Sequence, residues 1–162
     1  MHIRIGTGYD VHKLEKGFPL TLGGIQIPHE KGSVGHSDAD VLIHALCDAL
    51  LGAASLRDIG FHFPDTEAKY KGIDSKILLK KTVQLLENKG FKIGNIDSVI
   101  ILQKPKIKPF IPQMQKILAE TMQISLDDVS VKATTTEHLG FEGREEGIAA
   151  TVSVLIFKEE SI

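Results

Sequence analysis

The alternation of hydrophobic and polar residues along the chain predicts eight elements of secondary structure. The helical segments carry apolar residues three and four positions apart, whereas the strand segments are rich in Val, Ile and Thr. This order predicts an α+β fold: a mixed four- to five-stranded sheet with helices on one face and a ferredoxin-like βαβ arrangement. Strands are predicted over residues 2–10, 19–27, 96–104, 129–136 and 147–157, and helices over 37–54, 74–88 and 112–122.

Local signals suggest where the helices begin and end. Ser37 is a suitable N-cap with Asp40 three residues later, Pro112 suits a first helical turn, and Gly90 suits a helix stop. The last strand is apolar at nearly every position, which is typical of a sheet that is covered on both faces. Since the helices cover one face of the sheet, a partner subunit could cover part of the other face.

Composition and charge narrow the class of protein. The 162 residues are 42% hydrophobic and 25% charged, which predicts one globular domain over residues 1–162. The net charge of -2 argues against nucleic acid as a partner, and the longest apolar runs are too short to cross a membrane. The single cysteine, Cys47, is expected in the core, and the strand-like N-terminus predicts a cytoplasmic protein.

The first candidate site combines a strand and a helix. Asp10 and His12 lie two residues apart on one face of a strand, and His44 interrupts an apolar helix between Asp40 and Asp48. One carboxylate and two imidazoles would hold a metal ion with a fourth position open for substrate, and Asp40 or Asp48 could orient an imidazole. The alternatives are a salt-bridged surface pair and a core histidine that is bonded to a neighbouring acid.

Polar residues at helix and strand ends form further candidates. His36 and Ser37 would suit a phosphate at a helix start, although capping explains Ser37 equally well. The loop over residues 58–66 could be a lid or a set of ordinary turns. The three threonines of residues 134–136 suit phosphate oxygens and the carboxylate of Glu137 suits Mg²⁺, although the threonines would also simply end a strand.

Four blocks of sequence together resemble a known family. DVH, GHSDADVLIHALCDALLGAA, DIGFHFPDT and KATTTEHLGFEGRE, in this order, are similar to the 2-C-methyl-D-erythritol 2,4-cyclodiphosphate synthases of the non-mevalonate isoprenoid pathway, over residues 3 to 157. The resemblance implies a lyase that cyclises 4-diphosphocytidyl-2-C-methyl-D-erythritol 2-phosphate with release of CMP. It also implies a homotrimer whose sheets pack around a threefold axis, with active sites at subunit interfaces.

The resemblance also assigns roles to individual residues. Zn²⁺ would be held by Asp10, His12 and His44, and Mg²⁺ or Mn²⁺ at the diphosphate by Glu137. Phosphate and methylerythritol contacts would come from His36, Ser37, Asp58, Ile59, Gly60, Phe63, Pro64 and Asp65. The cytidine-diphosphate pocket of a neighbouring subunit would comprise Lys106, Ile107, Ala133, Thr134 and Thr135, and an axial cavity for isoprenoid diphosphates would lie near Phe141 and Arg144.

Two other functions fit some of these residues. One is a metal-dependent phosphohydrolase, and the other is a trimeric zinc-stabilised module that binds isoprenoid diphosphates. The turn PKIKP departs from the family pattern at Ile107 and Lys108, and His62 occupies a variable position to which no role is assigned.

Overall fold

The computed structural model describes residues 2–159 and contains one five-stranded mixed sheet with helices against it. The strands are β1 (His2–Lys16), β2 (Leu20–Leu22), β3 (Ile25–Ile27), β4 (Lys31–Val34), β5 (Lys92–Ile101), β6 (Val129–Thr134) and β7 (Gly147–Lys158). The helices are α1 (Val41–Ala53), α2 (Ile59–His62), α3 (Ser75–Asn88), α4 (Ile111–Met122) and α5 (Gly140–Gly143), with 3₁₀ turns at Ala68–Tyr70, Lys108–Phe110 and Leu126–Asp128.

The strand order in the large sheet is β4-β1-β7-β5-β6, and β2 pairs with β3 in a separate hairpin. β5 and β6 are parallel and are connected through α4, so the predicted βαβ unit is present. The other pairs are antiparallel, which confirms the mixed sheet. The closer resemblance of this arrangement to the ferredoxin fold stays a prediction.

The close contact between β1 and α1 depends on two glycines. A Cβ atom on Gly6 would lie 2.0 Å from the carbonyl oxygen of Ala49, so any side chain at this position would clash with the helix backbone. Gly8 meets the helix in the same way one turn earlier. Because successive inward residues of β1 follow the axis of α1, the strand brings Asp10 and His12 to the first turn of the helix.

Several predicted boundaries are wrong for identifiable reasons. The first strand continues to Lys16 because it pairs with β4, which was not predicted. The second strand is split by a hairpin turn at Gly23 and Gly24, both with positive φ. The strand predicted over 96–104 runs from Lys92 to Ile101, whereas α3, α4 and β7 lie close to their predicted positions.

The start of α1 is the main correction to the helix predictions. Asp40, and not Ser37, is the N-cap, and its carboxylate accepts from the backbone N–H of Ile43. The same buried carboxylate accepts from the N–H groups of Gly23 and Gly24 in the β2–β3 hairpin. Asp40 therefore joins the helix to the hairpin, and Ser37 is free to face the site described below.

No part of residues 2–159 covers the opposite face of the sheet. Ile3, Ile5, Tyr9 and Val11 alternate with the inward residues of β1, and Ile5 is 79% exposed. Leu155 and Phe157 of β7 pair with Ile5 and Ile3 and are half-buried. The prediction of cover on both faces thus holds for one face within a chain.

Two smaller predictions concern the core and the membrane. Cys47 is fully buried in α1, and burial raises the pKa of its thiol to about 12, which confirms a packing role. Within residues 2–159, none of the helices has the length and apolar character that a membrane crossing requires.

Candidate active site

Asp10, His12 and His44 meet at the contact between β1 and α1. His12 Nε2 lies 3.0 Å from His44 Nδ1, and Asp10 Oδ2 lies 3.0 Å and 3.1 Å from these two nitrogens. The three side chains are 13–29% exposed, so the cluster is sheltered but open on one side. The structure therefore brings together the three residues that were predicted as metal ligands.

Contacts on the far side of each ring turn a lone pair toward the centre of the cluster. His12 Nδ1 lies 3.1 Å from the carbonyl oxygen of Val34, to which it can donate only as N–H. The Nε2 atom of His44 lies 2.9 Å from Ser37 Oγ and 3.0 Å from Ser75 Oγ. With the protons on these outer nitrogens, His12 Nε2 and His44 Nδ1 are both free to ligate a metal.

The electrostatics of the cluster favour a charged carboxylate beside imidazole. When no metal is bound, burial raises the pKa of Asp10, but hydrogen bonds from His12 and His44 lower it by more, so the pKa lies well below its usual range. Burial lowers the pKa of His44, yet the hydrogen bond and charge of Asp10 outweigh this and raise it. A proton therefore competes with any cation for His44 at higher pH than for an ordinary imidazole.

The donor set fits a divalent metal of the zinc type. Two imidazole nitrogens and one carboxylate oxygen are common zinc ligands, with bonds of about 2.0–2.2 Å. Tetrahedral geometry then separates ligand atoms by roughly 3.3 Å, close to the 3.0–3.1 Å between the three atoms here. Because three protein ligands leave a fourth position open, the site can accept a substrate oxygen.

A cleft of about 390 Å³ opens beside the cluster. The turn that carries His36 and Ser37 is held to the segment before α3, since Gly72 N donates to His36 O and Asp38 N donates to Ile73 O. The cleft combines polar groups at the cluster with an apolar wall. Its lining residues are His12, His36, Ser37, His44, Ile59, Gly60, Phe63, Pro64, Asp65, Tyr70, Ile73 and Leu78.

The loop that forms one wall of the cleft is tied to α1 by Asp48. Its Oδ1 accepts from Ile59 N at 2.7 Å, at the start of α2. Burial raises the pKa of Asp48, and the charge of Asp58 adds to this effect. Asp58 precedes α2 without a side-chain capping bond and is not among the lining residues, unlike its neighbours Ile59 and Gly60.

A second cleft, of about 330 Å³, contains the residues predicted for the nucleotide pocket. Ile107 is buried and forms an apolar floor, while Lys106 and Lys108 are exposed. The two clefts have no lining residue in common. The lining residues are Leu102, Pro105, Lys106, Ile107, Lys108, Ala133, Thr134 and Thr135.

The segment after β6 presents Glu137 in an unusual backbone conformation. Glu137 and His138 both have positive φ, and Thr135 Oγ1 donates to Glu137 Oε1 at 3.2 Å. The Glu137 carboxylate is thus exposed beside the threonine of the second cleft. Further along, Arg144 makes a two-bond pair with Glu146, and Phe141 packs against Gly147.

One prediction about the first site is wrong, and several of its residues were not predicted. The carboxylates of Asp40 and Asp48 accept from backbone N–H groups, and neither carboxylate hydrogen-bonds the ring of His44, so the prediction that one of them orients an imidazole is wrong. Ser75 and the wall residues Tyr70, Ile73 and Leu78 were missed. Ser75 lies 31 positions from His44, and no spacing rule connects residues that far apart.

Comparisons with known proteins agree along nearly the whole chain. The sequence model of the YgbB family matches residues 3–157. The chain is 64% identical over 156 residues to the 2-C-methyl-D-erythritol 2,4-cyclodiphosphate synthase of Bacteroides fragilis, an alignment that covers 96% of this chain and 98% of the relative. The synthase of Phocaeicola vulgatus is 63% identical over 160 residues, with 99% and 100% covered.

Solved structures show the same fold. The bifunctional IspDF of Campylobacter jejuni has a TM-score of 0.94 and 45% identity, with 98% of this chain matched to 43% of that longer chain. The CDP complex of IspF from Plasmodium falciparum has a TM-score of 0.86 and 34% identity, with 98% of each chain covered.

Proposed function

The chain belongs to the YgbB family, whose relatives are 2-C-methyl-D-erythritol 2,4-cyclodiphosphate synthases, and we propose that its reaction depends on a metal ion held by Asp10, His12 and His44. The reaction is the cyclisation of 4-diphosphocytidyl-2-C-methyl-D-erythritol 2-phosphate, with release of CMP, in isoprenoid biosynthesis. The chain is accordingly a cyclising lyase.

The observation that carries the metal proposal is the triangle of three ligand atoms, each 3.0–3.1 Å from the others. Asp10, His12 and His44 would hold Zn²⁺, whose positive charge would draw phosphate oxygens together and reduce their repulsion. The 2-phosphate is largely ionised near neutral pH, so its attack on the β-phosphorus requires no general base from the protein.

The residues of the first cleft would hold the reacting end of the substrate. Ser37 Oγ accepts from Ala39 N at 3.3 Å and lies 2.9 Å from His44 Nε2, from whose N–H it can accept. The hydroxyl proton of Ser37 would then be available to donate to a phosphate oxygen. The walls formed by Ile59, Gly60, Phe63, Pro64 and Asp65, with Asp58 beside them, would position the methylerythritol. Such positioning within one bound substrate supplies much of the rate.

The second cleft would hold the cytidine diphosphate. Ile107 offers an apolar surface for the base, and Lys106, Ala133, Thr134 and Thr135 surround it with a cation and hydroxyl groups. Glu137, beside Thr135, would hold a second divalent cation, Mg²⁺ or Mn²⁺, at the diphosphate. That cation would neutralise charge as CMP leaves.

We further propose a homotrimer with sheets packed around a threefold axis. The uncovered sheet face that contains Ile3, Ile5, Tyr9 and Val11 supports this assembly, because exposed apolar patches commonly mark subunit contacts. Since the two clefts share no residue, a nucleotide cleft of one subunit could complete the metal cleft of the next. The trimer would enclose an axial cavity near Phe141 and Arg144 that could bind an isoprenoid diphosphate. We also propose a cytoplasmic location.

The test is turnover of the CDP-methylerythritol phosphate substrate with and without a chelator, followed by ³¹P NMR. We expect CMP and a cyclic diphosphate, with loss of turnover in chelator and recovery when Zn²⁺ is restored. Release of inorganic phosphate would instead indicate a phosphohydrolase, and binding without turnover would indicate a module that only binds diphosphates.

A variant tests the ligand assignment directly. His44→Ala should lose stoichiometric zinc and most turnover, while light scattering still reports three subunits. A variant that retained both zinc and normal activity would overturn the assignment of His44.

A further inference from the structure

A buried serine and an aspartate lie behind His44, on the side away from the metal ligands. Ser75 is the first residue of α3 and is fully buried, and its Oγ lies 3.0 Å from His44 Nε2. The hydroxyl of Ser75 also bonds to Asp38 Oδ1, and the backbone N–H of Ser75 donates to Asp38 Oδ2 at 2.9 Å. Three residues from separate segments thus form a chain of hydrogen bonds that ends at the imidazole.

The direction of each hydrogen bond follows from the chemistry of the groups. An ionised carboxylate can only accept, so the hydroxyl proton of Ser75 must point toward Asp38. A lone pair of Ser75 Oγ is then left to face His44, where it accepts from an N–H at Nε2. Ser37 Oγ lies 2.9 Å from the same nitrogen and shares that proton, but no carboxylate fixes the direction of its hydroxyl. With a metal ion between them, the remaining ring nitrogen, Nδ1, which lies 3.1 Å from Asp10 Oδ2, would then offer its lone pair to the metal.

We propose that Ser75 and Asp38 are positioning residues that fix His44 in the tautomer that ligates the metal. The proposal rests on the proposed function, because it assumes that His44 is a ligand. Asp38 acts through Ser75, and neither residue is among those that line the first cleft. Metal-ligating histidines commonly donate their second N–H to such a partner, and loss of the partner costs about 10- to 100-fold in metal affinity or activity.

The backbone explains why Ser75 can reach the ring. Asp74 is the N-cap of α3 and accepts from Lys76 N, which leaves Ser75 at the helix start, pointing inward. Asp38 lies in the turn before α1, where it also accepts from Asp40 N at 3.2 Å. The same aspartate therefore links the segment before α1 to the start of α3, beside the candidate metal site.

The experiment measures zinc affinity of the full-length protein by competition with a chromogenic chelator. We expect Ser75→Ala and Asp38→Asn each to weaken zinc binding by about 10- to 100-fold. In Asp38→Asn the amide can donate to Ser75, so that the hydroxyl turns toward His44 and favours a proton at Nδ1. Ser75→Thr keeps the hydroxyl and should recover most of the affinity.

Matched controls separate this role from folding. Asp74→Asn changes the neighbouring aspartate at the same helix start, and Ser125→Ala removes a hydroxyl that caps another turn. Both should bind zinc like the unsubstituted chain. Co²⁺ in place of zinc gives a second readout, because loss of an imidazole ligand changes its visible absorption even where the variant remains folded by circular dichroism.

The outcomes distinguish this proposal from the one that it rests on. If the unsubstituted chain binds zinc, His12→Ala does not, and both Ser75→Ala and Asp38→Asn bind like the unsubstituted chain, then the positioning role is wrong and the metal site stands. If His12→Ala binds zinc normally, the metal site itself is wrong. Weak binding in the Asp74→Asn control would assign the effect to the α3 start in general.

Discussion

A Cβ atom added to Gly8 would lie 1.8 Å from the carbonyl oxygen of Ala45, so the strand and the helix are as close as their backbones allow. His44 precedes Ala45, and Asp10 follows Gly8 by one inward position. The same contact that packs α1 on β1 therefore sets the distance between the carboxylate and the imidazole.

Gly8→Ala should separate α1 from β1. Because the clash is with backbone, we expect a loss of about 1–3 kcal/mol in the free energy of unfolding, as for other overpacked cores, together with weaker zinc binding. Urea unfolding and chelator competition measure these two effects.

Gly52→Ala is the matched control for that substitution. Gly52 lies in the same helix, and a Cβ atom there would meet nothing within 4 Å. Alanine is the better helix former by roughly 0.5–1 kcal/mol, so this variant should be slightly more stable with unchanged zinc affinity. Equal behaviour of the two variants would contradict the account of the contact.

Metal removal should reverse the pH dependence of stability at the cluster. The folded-state pKa of His44 is raised, so its contribution is present below the ordinary value of 6.5 and is lost as pH rises through the folded pKa. The pKa of Asp10 is lowered, so its contribution is present above 3.8 and is lost in acid. The chelated protein should thus lose stability above pH 6.5.

Zinc binding requires neutral imidazole and should strengthen over the same pH range. Denaturant unfolding of the chelated and the zinc-loaded protein at pH 6 and pH 8.5 tests both slopes. The chelated His44→Gln variant lacks the titrating group and should show less decline above pH 6.5. If its decline equals that of the unsubstituted chelated protein, His44 is not the source.

The candidate metal site could be predicted from the sequence because two of its three residues share a strand face. Asp10 and His12 need only the period of two of a strand, and His44 stands out as a polar residue in an apolar helix. The closeness of the two elements rests on Gly6 and Gly8, whose small size is visible in the sequence but whose partner helix is not.

The side chains that hydrogen-bond the ring of His44 could not be predicted from the local sequence pattern. Asp40 and Asp48 share its helical stripe, yet both carboxylates are engaged by backbone N–H groups of Ile43 and Ile59. Asp40, at the start of α1, bonds the nearest free N–H of its own helix, and Asp48, in the middle of α1, bonds a free N–H at the start of α2. These bonds compete with any role toward a ring one turn away. Ser75 reaches His44 through tertiary packing alone.

Asp48→Ala should loosen the wall of the first cleft. The variant removes the 2.7 Å bond to Ile59 N, so α2 loses its attachment to α1. The loss of a comparable capping interaction costs about 1 kcal/mol, and we expect a several-fold rise in KM for the substrate with zinc affinity nearly unchanged. Asp128→Ala, in the turn before β6, is the control and should leave KM unchanged.

Thr135→Val should weaken CDP binding without harming the fold. Thr135 is half-buried at the second cleft, and its hydroxyl donates to Glu137. A net hydrogen bond of about 0.5–1.5 kcal/mol corresponds to a loss of roughly 2- to 13-fold in CDP affinity by calorimetry, while the thermal midpoint stays nearly unchanged because valine suits a strand end. Since Glu137 would also lose its partner, the Mg²⁺ concentration that supports half-maximal turnover should rise in the same variant. Glu137→Gln should raise it further, whereas Glu142→Gln, an exposed acid in α5, should not. Unchanged CDP affinity in Thr135→Val would remove that residue from the nucleotide pocket.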